Sequence, residues 1–371
     1  MPVNVPLRVL MTADTVGGVW TFATELCAGL IEQGAQVQLA ALGPSISPDQ
    51  GRHADSIRGL RWVHRASTLE WMDDPWDEVN AARTWLESLA REFRPDVVHL
   101  NTLSYGDAGF GVPVVQTVHS CVCSWWEAVK HSPLPAEWNR YRGHVEASLQ
   151  AATLLTAPSS AALSDVARHY RVDVLGATSI FNGVDQTDWG PAYPEPFIFS
   201  AGRLWDEAKN LAALADISER LTWPIYLAGN PISPTGATAV FRNCRLLGEL
   251  DRRELPEWYS RASVYAAPAK YEPFGLSILE AALSGCALVL GDIPSLREIW
   301  ENAAIFAAPD DHKALLAAIE SLIADKDQRQ LMTDRALARA ADFSSSRMTA
   351  KYLTVYRAAV QRGIRGLACA S

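Results

Sequence analysis

One stretch near three-quarters of the chain, residues 270–286, joins a loop to an almost entirely apolar helix and reads KYEPFGLSILEAALSGC. Pro273 and Gly275 do not belong inside a helix, so the pattern predicts Glu272 on the loop and a helix over residues 276–284. A helix this apolar must be buried, and its first turn is expected to face a crevice.

Two carboxylates, Glu272 and Glu280, lie eight positions apart at the ends of this stretch. Glu280 has apolar neighbours, and burying it without a partner would be costly, so we expect a hydrogen-bond donor beside it. The alternative is a polar position that faces solvent. The backbone N–H groups of Gly275, Leu276 and Ser277, with the positive end of the helix dipole, form an anion site of the kind that holds phosphate.

The stretch resembles the E-x7-E signature of retaining GT-B glycosyltransferases, specifically family four of the glycogen-synthase and sucrose-synthase-like superfamily, including its Pro-Phe-Gly-Leu at residues 273–276. The resemblance implies an α/β fold of two Rossmann-like doubly wound domains facing across a cleft. It implies that Glu272 meets hydroxyls of the donor sugar and that Glu280 meets the ribose hydroxyls of the nucleotide. The helix N-terminus, with Phe274, would receive the diphosphate.

Length and charge narrow the classes of protein further. A chain of 371 residues is long enough for two domains. Its 33 basic and 42 acidic residues give a net charge of −9, which argues against a nucleic-acid partner and against broad attachment to anionic lipid. No apolar run approaches the roughly 20 residues of a membrane span, and no export leader is visible, so we expect no integral membrane segment.

The six cysteines show no paired C-x-x-C spacing, so neither a zinc site nor a disulfide framework is indicated. Cysteines of this kind are typical of proteins kept in a reducing compartment. The sequence therefore predicts a cytoplasmic protein.

The N-terminal residues have the pattern of a βαβ unit, with strands over 7–11 and 36–42 and a helix over 19–33. This unit requires a parallel sheet, and ligands bind beyond the carboxyl ends of such strands. Gly17 and Gly18 fall at that end, where their backbone could approach a phosphate or sugar, although a simple tight turn explains two glycines equally well. The dinucleotide fingerprint and the P-loop motif are absent from the sequence.

Residues 44–77 show little periodicity and predict loops with a short strand over 60–64. A later buried strand, 113–118, delivers His119 at its carboxyl end. There an imidazole can donate to a sugar hydroxyl or a developing oxyanion, and the resemblance implies that His119 contacts the donor sugar. A structural histidine is the alternative.

Trp125 and Trp126 follow in a segment rich in aromatic and basic residues. Aromatic faces with polar neighbours suit stacking against a sugar ring, so we assign the two tryptophans to the acceptor. Ordinary packing of large aromatics is the alternative interpretation.

The resemblance identifies Asn182–Asp185 as the crossing between domains, and a proline-rich linker follows it. We therefore expect an acceptor-side Rossmann-like domain over 1–187 and a nucleotide-sugar-binding Rossmann-like domain over 188–345. A C-terminal helix over 346–371 is expected to return to the first domain.

The second domain begins with a strand over 197–201, which is followed by Arg203 and Lys209. An Arg fork and a Lys point charge could stabilise the charge on a departing diphosphate without a metal, whereas the alternative is a surface pair at a helix start. In the family this Lys usually follows the Arg by five positions, and here it follows by six. The resemblance also places the nucleotide base near backbone groups around Leu250.

The activity implied is transfer of a hexose from a UDP-, GDP- or ADP-sugar to a hydroxyl of a carbohydrate or small glycoside acceptor, with retention. The sequence singles out no nucleophilic carboxylate of the type that retaining glycosidases use, so we expect the departing phosphate to take the acceptor proton. No D-x-D motif follows a predicted strand. Asp325–Asp327 has the letters of this motif but lies between two predicted helices. We predict a metal-independent enzyme without a cofactor.

Two other classes of protein stay open. One is a GT-B epimerase or a phosphorylase; such phosphorylases use a pyridoxal Schiff-base lysine, and no lysine here has a context that identifies it as one. The other is a non-catalytic protein that binds sugar nucleotides. The presence of His119, Arg203, Glu272 and Glu280 argues against a loss of catalysis.

Overall fold

The computed structural model describes residues 6–234 and 236–370, with side chains through residue 363. The chain divides into two compact units: unit 1 comprises residues 1–124, 132–183 and 345–371, and unit 2 comprises 125–131 and 184–344. Residues 1–5, which belong to the N-terminal stretch in which the sequence shows no export leader, lie outside the described part, and so does the side chain of Cys369.

Unit 1 is built on a seven-stranded sheet that is parallel throughout. Its strands are β1 (Arg8–Asp14), β2 (Gln36–Gly43), β3 (Arg61–Ala66), β4 (Val97–Leu100), β5 (Val114–Thr117), β6 (Leu154–Ala157) and β7 (Thr178–Ser179). They lie in the order β3-β2-β1-β4-β5-β6-β7, so the direction of winding reverses between β1 and β4. At such a switch point the loops diverge and leave a crevice beyond the strand ends.

In the described part of the chain, six helices follow these strands: α1 (Gly18–Glu32), α2 (Pro48–Ser56), α3 (Trp76–Phe93), α4 (Val122–Lys130), α5 (Asn139–Ala151) and α6 (Ser160–His169). Most of α4 groups with unit 2, which includes residues 125–131. The prediction of loops around α2 is wrong. Ser47 and Gln50 form a capping box, in which each side chain bonds the other's backbone N–H, and Pro48 occupies the first helical position. This local signal was present in the sequence, but the helix is mostly polar and buries only Ala54 among its nine residues, so it has no broad apolar face.

Unit 2 is built on a six-stranded sheet, also parallel throughout, in the order β10-β9-β8-β11-β12-β13. Its strands are β8 (Glu195–Ala201), β9 (Ile225–Ala228), β10 (Arg245–Gly248), β11 (Ala262–Ala267), β12 (Ala287–Gly291) and β13 (Ile305–Ala307). Its helices are α7 (Leu211–Ile217), α8 (Leu255–Arg261), α9 (Leu276–Leu283), α10 (Pro294–Trp300), α11 (His312–Ala324) and α12 (Lys326–Ala340). Two parallel sheets with flanking helices confirm the expected pair of Rossmann-like domains.

The last helix, α13 (Ser345–Ala370), groups with unit 1 and is attached to its sheet through a buried polar network. The imidazole of His99 is fully buried; its Nδ1 lies 2.7 Å from the Tyr356 hydroxyl and its Nε2 lies 2.6 Å from the Thr117 hydroxyl. Thr117 also lies 3.2 Å from the hydroxyl of Tyr352. Buried polar groups of this kind must be paired, so the network fixes the position of α13 on the sheet.

Burial holds the pKa of His99 well below its ordinary value. Below about pH 6.5 the unfolded chain binds a proton that the folded histidine does not. The free energy of unfolding should therefore decrease as the pH is lowered. We expect a loss of about 1.4 kcal/mol per pH unit from this group. Denaturant unfolding between pH 7.5 and 5.5 should show a shallower pH dependence for His99→Gln, while the exposed-site variant His131→Gln should match the wild type. Identical pH dependences for all three proteins would contradict this prediction.

Candidate active site

In unit 2, the loops that follow β8 and β11 lie side by side. The two strands are parallel neighbours in the sheet, so their carboxyl ends meet at one edge. The backbone N–H of Lys270 donates to the carbonyl of Ala208 at 2.8 Å, which ties the loops together. This arrangement brings together Arg203, Lys209 and Glu272, three of the residues that the sequence singled out.

Lys209 and Glu272 form an ion pair with 2.5 Å between Nζ and Oε2. Both side chains are largely buried, with 22% and 13% of their surface exposed. A short 3-10 turn, Glu207–Lys209, carries the lysine. Asn210 then ends the turn in the left-handed region, at φ +55°, and its side-chain amide donates to the carbonyl of Pro268 at 2.9 Å. The Lys follows Arg203 by six positions instead of the five that are usual in the family. The turn nevertheless places the Lys209 ammonium next to Glu272.

Arg203 is paired with Asp206, a residue that the sequence reasoning passed over. Its Nη2 lies 2.7 Å from Oδ2 of Asp206, and the aspartate is 5% exposed. Burial alone would raise the pKa of Asp206, but the charges of Arg203 and Lys209 and the hydrogen bonds from Trp125 and Ala208 lower it overall. The carboxylate is therefore charged, and it anchors the loop that carries both cations.

The N-terminus of α9 has the geometry that the sequence predicts. Gly275 is the N-cap, at φ +87°, and a Cβ there would lie 2.6 Å from Cδ1 of Ile278, so this position requires glycine. The N–H groups of Leu276 and Ser277, the first two residues of the helix, have no acceptor within the helix. The ring of Phe274 is buried and packs edge-on against Phe343 with centroids 5.7 Å apart. Its assignment to the diphosphate stays a prediction.

Glu280 has the hydrogen-bond donor that its apolar surroundings require. The hydroxyl of Tyr259, a fully buried residue on α8, donates to its Oε2 at 3.1 Å. A second buried phenol, that of Tyr265 on β11, has its pKa raised by burial and additionally by the charges of Glu280 and Glu272. Both carboxylates of the motif therefore act on one buried group, in the same part of unit 2.

The strand ends on the other side of Arg203 bring Leu250 to the same edge of the sheet. Gly229, after β9, donates its N–H to the carbonyl of Gly248 at 2.7 Å. A Cβ at Gly229 would lie 1.8 Å from the carbonyl oxygen of Gly202, so the backbones there approach closely because side chains are missing. Leu250 follows two residues after β10 and is half-buried.

In unit 1, His119 follows β5 and is held by Asn101, which follows the neighbouring strand β4. Nε2 of His119 lies 2.8 Å from Oδ1 of Asn101, and the amide Nδ2 of Asn101 donates to the carbonyl of Thr12 at 2.7 Å. The amide oxygen thus accepts from Nε2–H, which leaves Nδ1 as an acceptor. Burial lowers the pKa of His119 to about 3, so the ring is neutral. His119 can accept a hydrogen bond, whereas the sequence argument expected it to donate one.

Gly17 and Gly18 lie at the same edge of the unit 1 sheet, after β1. Both are exposed; Gly17, at φ +94°, is the N-cap of α1, and Gly18 is its first residue. The N-terminus of α1 and the loop that carries His119 therefore follow strands on either side of β4.

The two tryptophans assigned to the acceptor differ in their contacts. The indole N–H of Trp125 donates to Oδ1 of Asp206 at 2.9 Å, within unit 2. The ring of Trp126 is half-buried, with its centroid 6.4 Å from that of Trp125. The N–H of Trp125 therefore has a structural partner already.

Within the described residues, no three His, Cys, Asp or Glu side chains form a group that could hold a metal ion. Asp325, of the D-x-D by letter, caps α12 by accepting from the N–H groups of Asp327 and Gln328, both at 2.9 Å. Among the described residues, none of the helices combines the length and apolar composition needed to cross a bilayer.

Comparison with known proteins decides the family. The profile described as Glycosyltransferase Family 4 matches residues 16–188, and that described as Glycosyl transferases group 1 matches residues 233–339. Glycogen synthase of Mycobacterium tuberculosis is 31% identical over 407 residues, covering 97% of this chain and 96% of the relative. The chain belongs to glycosyltransferase family 4.

Solved structures agree on the fold of this family 4 glycosyltransferase. Sucrose-phosphate synthase of Thermosynechococcus elongatus superposes with a TM-score of 0.77 at 17% identity, covering 98% of this chain and all of that one. HepE of Anabaena, in complex with UDP-glucose, gives a TM-score of 0.73 at 14% identity over 95% of this chain and all of that one. The expected GT-B fold is thereby confirmed.

The two matched ranges of the family 4 glycosyltransferase leave a gap at residues 189–232. His119, Glu272 and Glu280 lie inside the ranges, while Arg203 and Lys209 lie in the gap. The assignment of these two cations to the site therefore depends on geometry: their loop is tied to the one that carries Glu272.

Asn101→Asp should raise the pKa of His119 from about 3. The variant places a carboxylate 2.8 Å from Nε2, where a negative charge favours the imidazolium. A ¹⁵N NMR titration of the His119 ring would measure the shift. Asn80→Asp, which adds the same charge at an exposed position of α3, should leave the titration unchanged. A His119 titration that is the same in wild type and Asn101→Asp would contradict the hydrogen bond.

Proposed function

We propose that this protein transfers a hexose from a nucleoside-diphosphate sugar to a hydroxyl of a carbohydrate or small glycoside acceptor, with retention and without a metal. The observation that carries the proposal is the cluster in unit 2, where Lys209 pairs with Glu272 just before the N-terminus of α9 and Arg203 pairs with Asp206 on the loop that carries Lys209. The nucleoside diphosphate of the donor is assigned to unit 2, and Gly17, Gly18 and His119 of unit 1 are also assigned to contacts with the donor. The family supports the class of reaction.

Both cations retain donors for a diphosphate. A guanidinium has five N–H groups, and Arg203 donates one of them to Asp206. An ammonium has three, and Lys209 uses one to Glu272. The carboxylates orient the cations before the donor arrives, so little reorganisation is needed as negative charge grows on the departing diphosphate.

The first turn of α9 supplies the second part of the proposed phosphate site. Its backbone N–H groups and the positive end of the helix dipole favour an anion at Gly275–Ser277. Glu280, oriented by Tyr259, is assigned to the ribose hydroxyls, and Glu272 to hydroxyls of the transferred sugar. Leu250 is assigned to the base through its backbone, and Gly17 and Gly18 to backbone contacts with the donor.

Retention without an enzymic nucleophile requires departure and attack on the same face of the sugar. We propose that the departing phosphate oxygen takes the acceptor proton while Arg203 and Lys209 stabilise the charge left on the diphosphate. His119, as a neutral acceptor at Nδ1, is proposed to receive a hydrogen bond from a hydroxyl of the transferred sugar. Trp126 is kept as a candidate for stacking on the acceptor.

The proposed location is the cytoplasm. The described cysteines, Cys27, Cys121, Cys123, Cys244 and Cys286, carry free thiols. Free thiols support a reducing compartment.

Wild-type protein should bind at least one of UDP, GDP and ADP in isothermal titration calorimetry, and one of the matching sugar nucleotides should raise its Tm. HepE, solved with UDP-glucose, makes UDP-glucose the first donor to test. Glu280→Gln should weaken binding by about tenfold, because it replaces a charged hydrogen-bond acceptor by a neutral one. Glu320→Gln, on the exposed face of α11, is the control. Wild-type protein that binds none of the three nucleotides would exclude the proposed function.

Arg203→Ala should lower kcat by roughly 100- to 1,000-fold, the loss expected when a preorganised donor to developing charge is removed. Arg261→Ala, which removes an arginine from a surface ion pair with Glu195 in the same unit, should leave kcat near the wild-type value. Excess EDTA in the wild-type assay should not change the rate. Wild-type kinetics in Arg203→Ala would exclude its proposed role, and activity abolished by EDTA and restored by a divalent cation would exclude the metal-free mechanism.

A further inference from the structure

The segment 125–131 of unit 2 contacts the loop that carries Arg203 and Lys209 through two side-chain pairs. The indole N–H of Trp125 donates to Oδ1 of Asp206 at 2.9 Å, and Nζ of Lys130 lies 2.7 Å from both carboxylate oxygens of Glu207. These pairs join residues 125–130 to Asp206 and Glu207, which lie between the two cations in sequence, so the pairs bear on the geometry of both cations.

The two pairs differ in strength because they differ in burial. Lys130 and Glu207 are 33% and 60% exposed, and an ion pair with that exposure is screened by water and salt. Asp206, in contrast, is almost fully buried, and a hydrogen bond to a buried charge is strong. The contact of Trp125 with Asp206 is therefore the one that fixes the segment to the loop.

Trp125 also fixes the orientation of the Asp206 carboxylate. Oδ1 accepts from the indole of Trp125 and from the backbone N–H of Ala208, while Oδ2 receives Nη2 of Arg203 at 2.7 Å. Removing the indole N–H leaves one donor on Oδ1 instead of two. The carboxylate can then rotate, and the direction of its bond to the guanidinium changes with it.

Arg203 depends on that carboxylate because burial does not hold it. Its side chain is 38% exposed, and its guanidinium carbon also lies 5.4 Å from the centre of the Trp205 ring. An exposed arginine without a fixed anchor samples many rotamers, and a donor that must be reoriented during the reaction loses much of its catalytic value.

We propose that Trp125 is a positioning residue for the transfer reaction, which acts through Asp206 to hold the Arg203 guanidinium in the direction of the departing diphosphate. This inference rests on the function proposed above. It replaces acceptor stacking as the role of Trp125. It also makes the segment that follows the His119 loop part of the leaving-group machinery.

The test is a double-mutant cycle on kcat, carried out with the donor on which wild-type protein turns over. Trp125→Phe keeps an aromatic ring and removes the N–H, and it should lower kcat by about tenfold, as for loss of a hydrogen bond to a charged group, with the acceptor KM unchanged. In the Arg203→Ala background the same change should have no further effect. Trp223→Phe, the same substitution at a ring on the outer core of unit 2, should match the wild type.

Asp206→Asn gives an independent measurement, because the amide oxygen still accepts from Trp125 but carries no charge for Arg203. It should also lower kcat, and again only when Arg203 is present. A Trp125→Phe variant with wild-type kcat, with the same loss in the Arg203→Ala background, or with its effect confined to the acceptor KM would overturn the inference while the proposed function stands. Wild-type protein without turnover on any donor would remove both, and that result is obtained before any variant is made.

Discussion

Parallel strands that end at one edge of a sheet are the constraint on which this site depends. In unit 2 they bring the loops after β8 and β11 side by side, and in unit 1 they bring Asn101 next to His119. Functional groups that are far apart in sequence therefore meet because the sheet brings their strand ends together. What the loops add is partners: each charged side chain of the cluster meets an opposite charge or a hydrogen-bond donor.

Much of this could be predicted because it depends on local pattern. The α9 helix and its glycine N-cap follow from residues within one turn of Gly275, and the need for a donor beside Glu280 follows from the cost of burying a charge. The donor itself, Tyr259, could not be named, since it lies on another helix, 21 residues away in sequence. Sequence pattern identifies a group that needs a partner, but the fold selects the partner.

The residues that were missed share one property: their role is to orient another residue. Asp206 and Asn101 belong to no motif, and each is recognisable only by the groups that its side chain joins. The change in the hydrogen-bonding role of His119, from the expected donor to an acceptor, has the same origin. Its position after a strand was read from the sequence, but whether it donates or accepts depends on Asn101, whose own orientation is fixed by Thr12.

The attachment of the last helix has a consequence for synthesis on the ribosome. The contacts of His99 with Tyr356 and of Thr117 with Tyr352 join residues 257 and 235 positions apart. The β4 and β5 strands thus emerge long before the tyrosines that complete their polar network, whereas all of residues 184–344 emerge before α13. The nascent chain must carry an unfinished first unit while the second becomes available to fold, and burial of His99 waits until α13 has been synthesised.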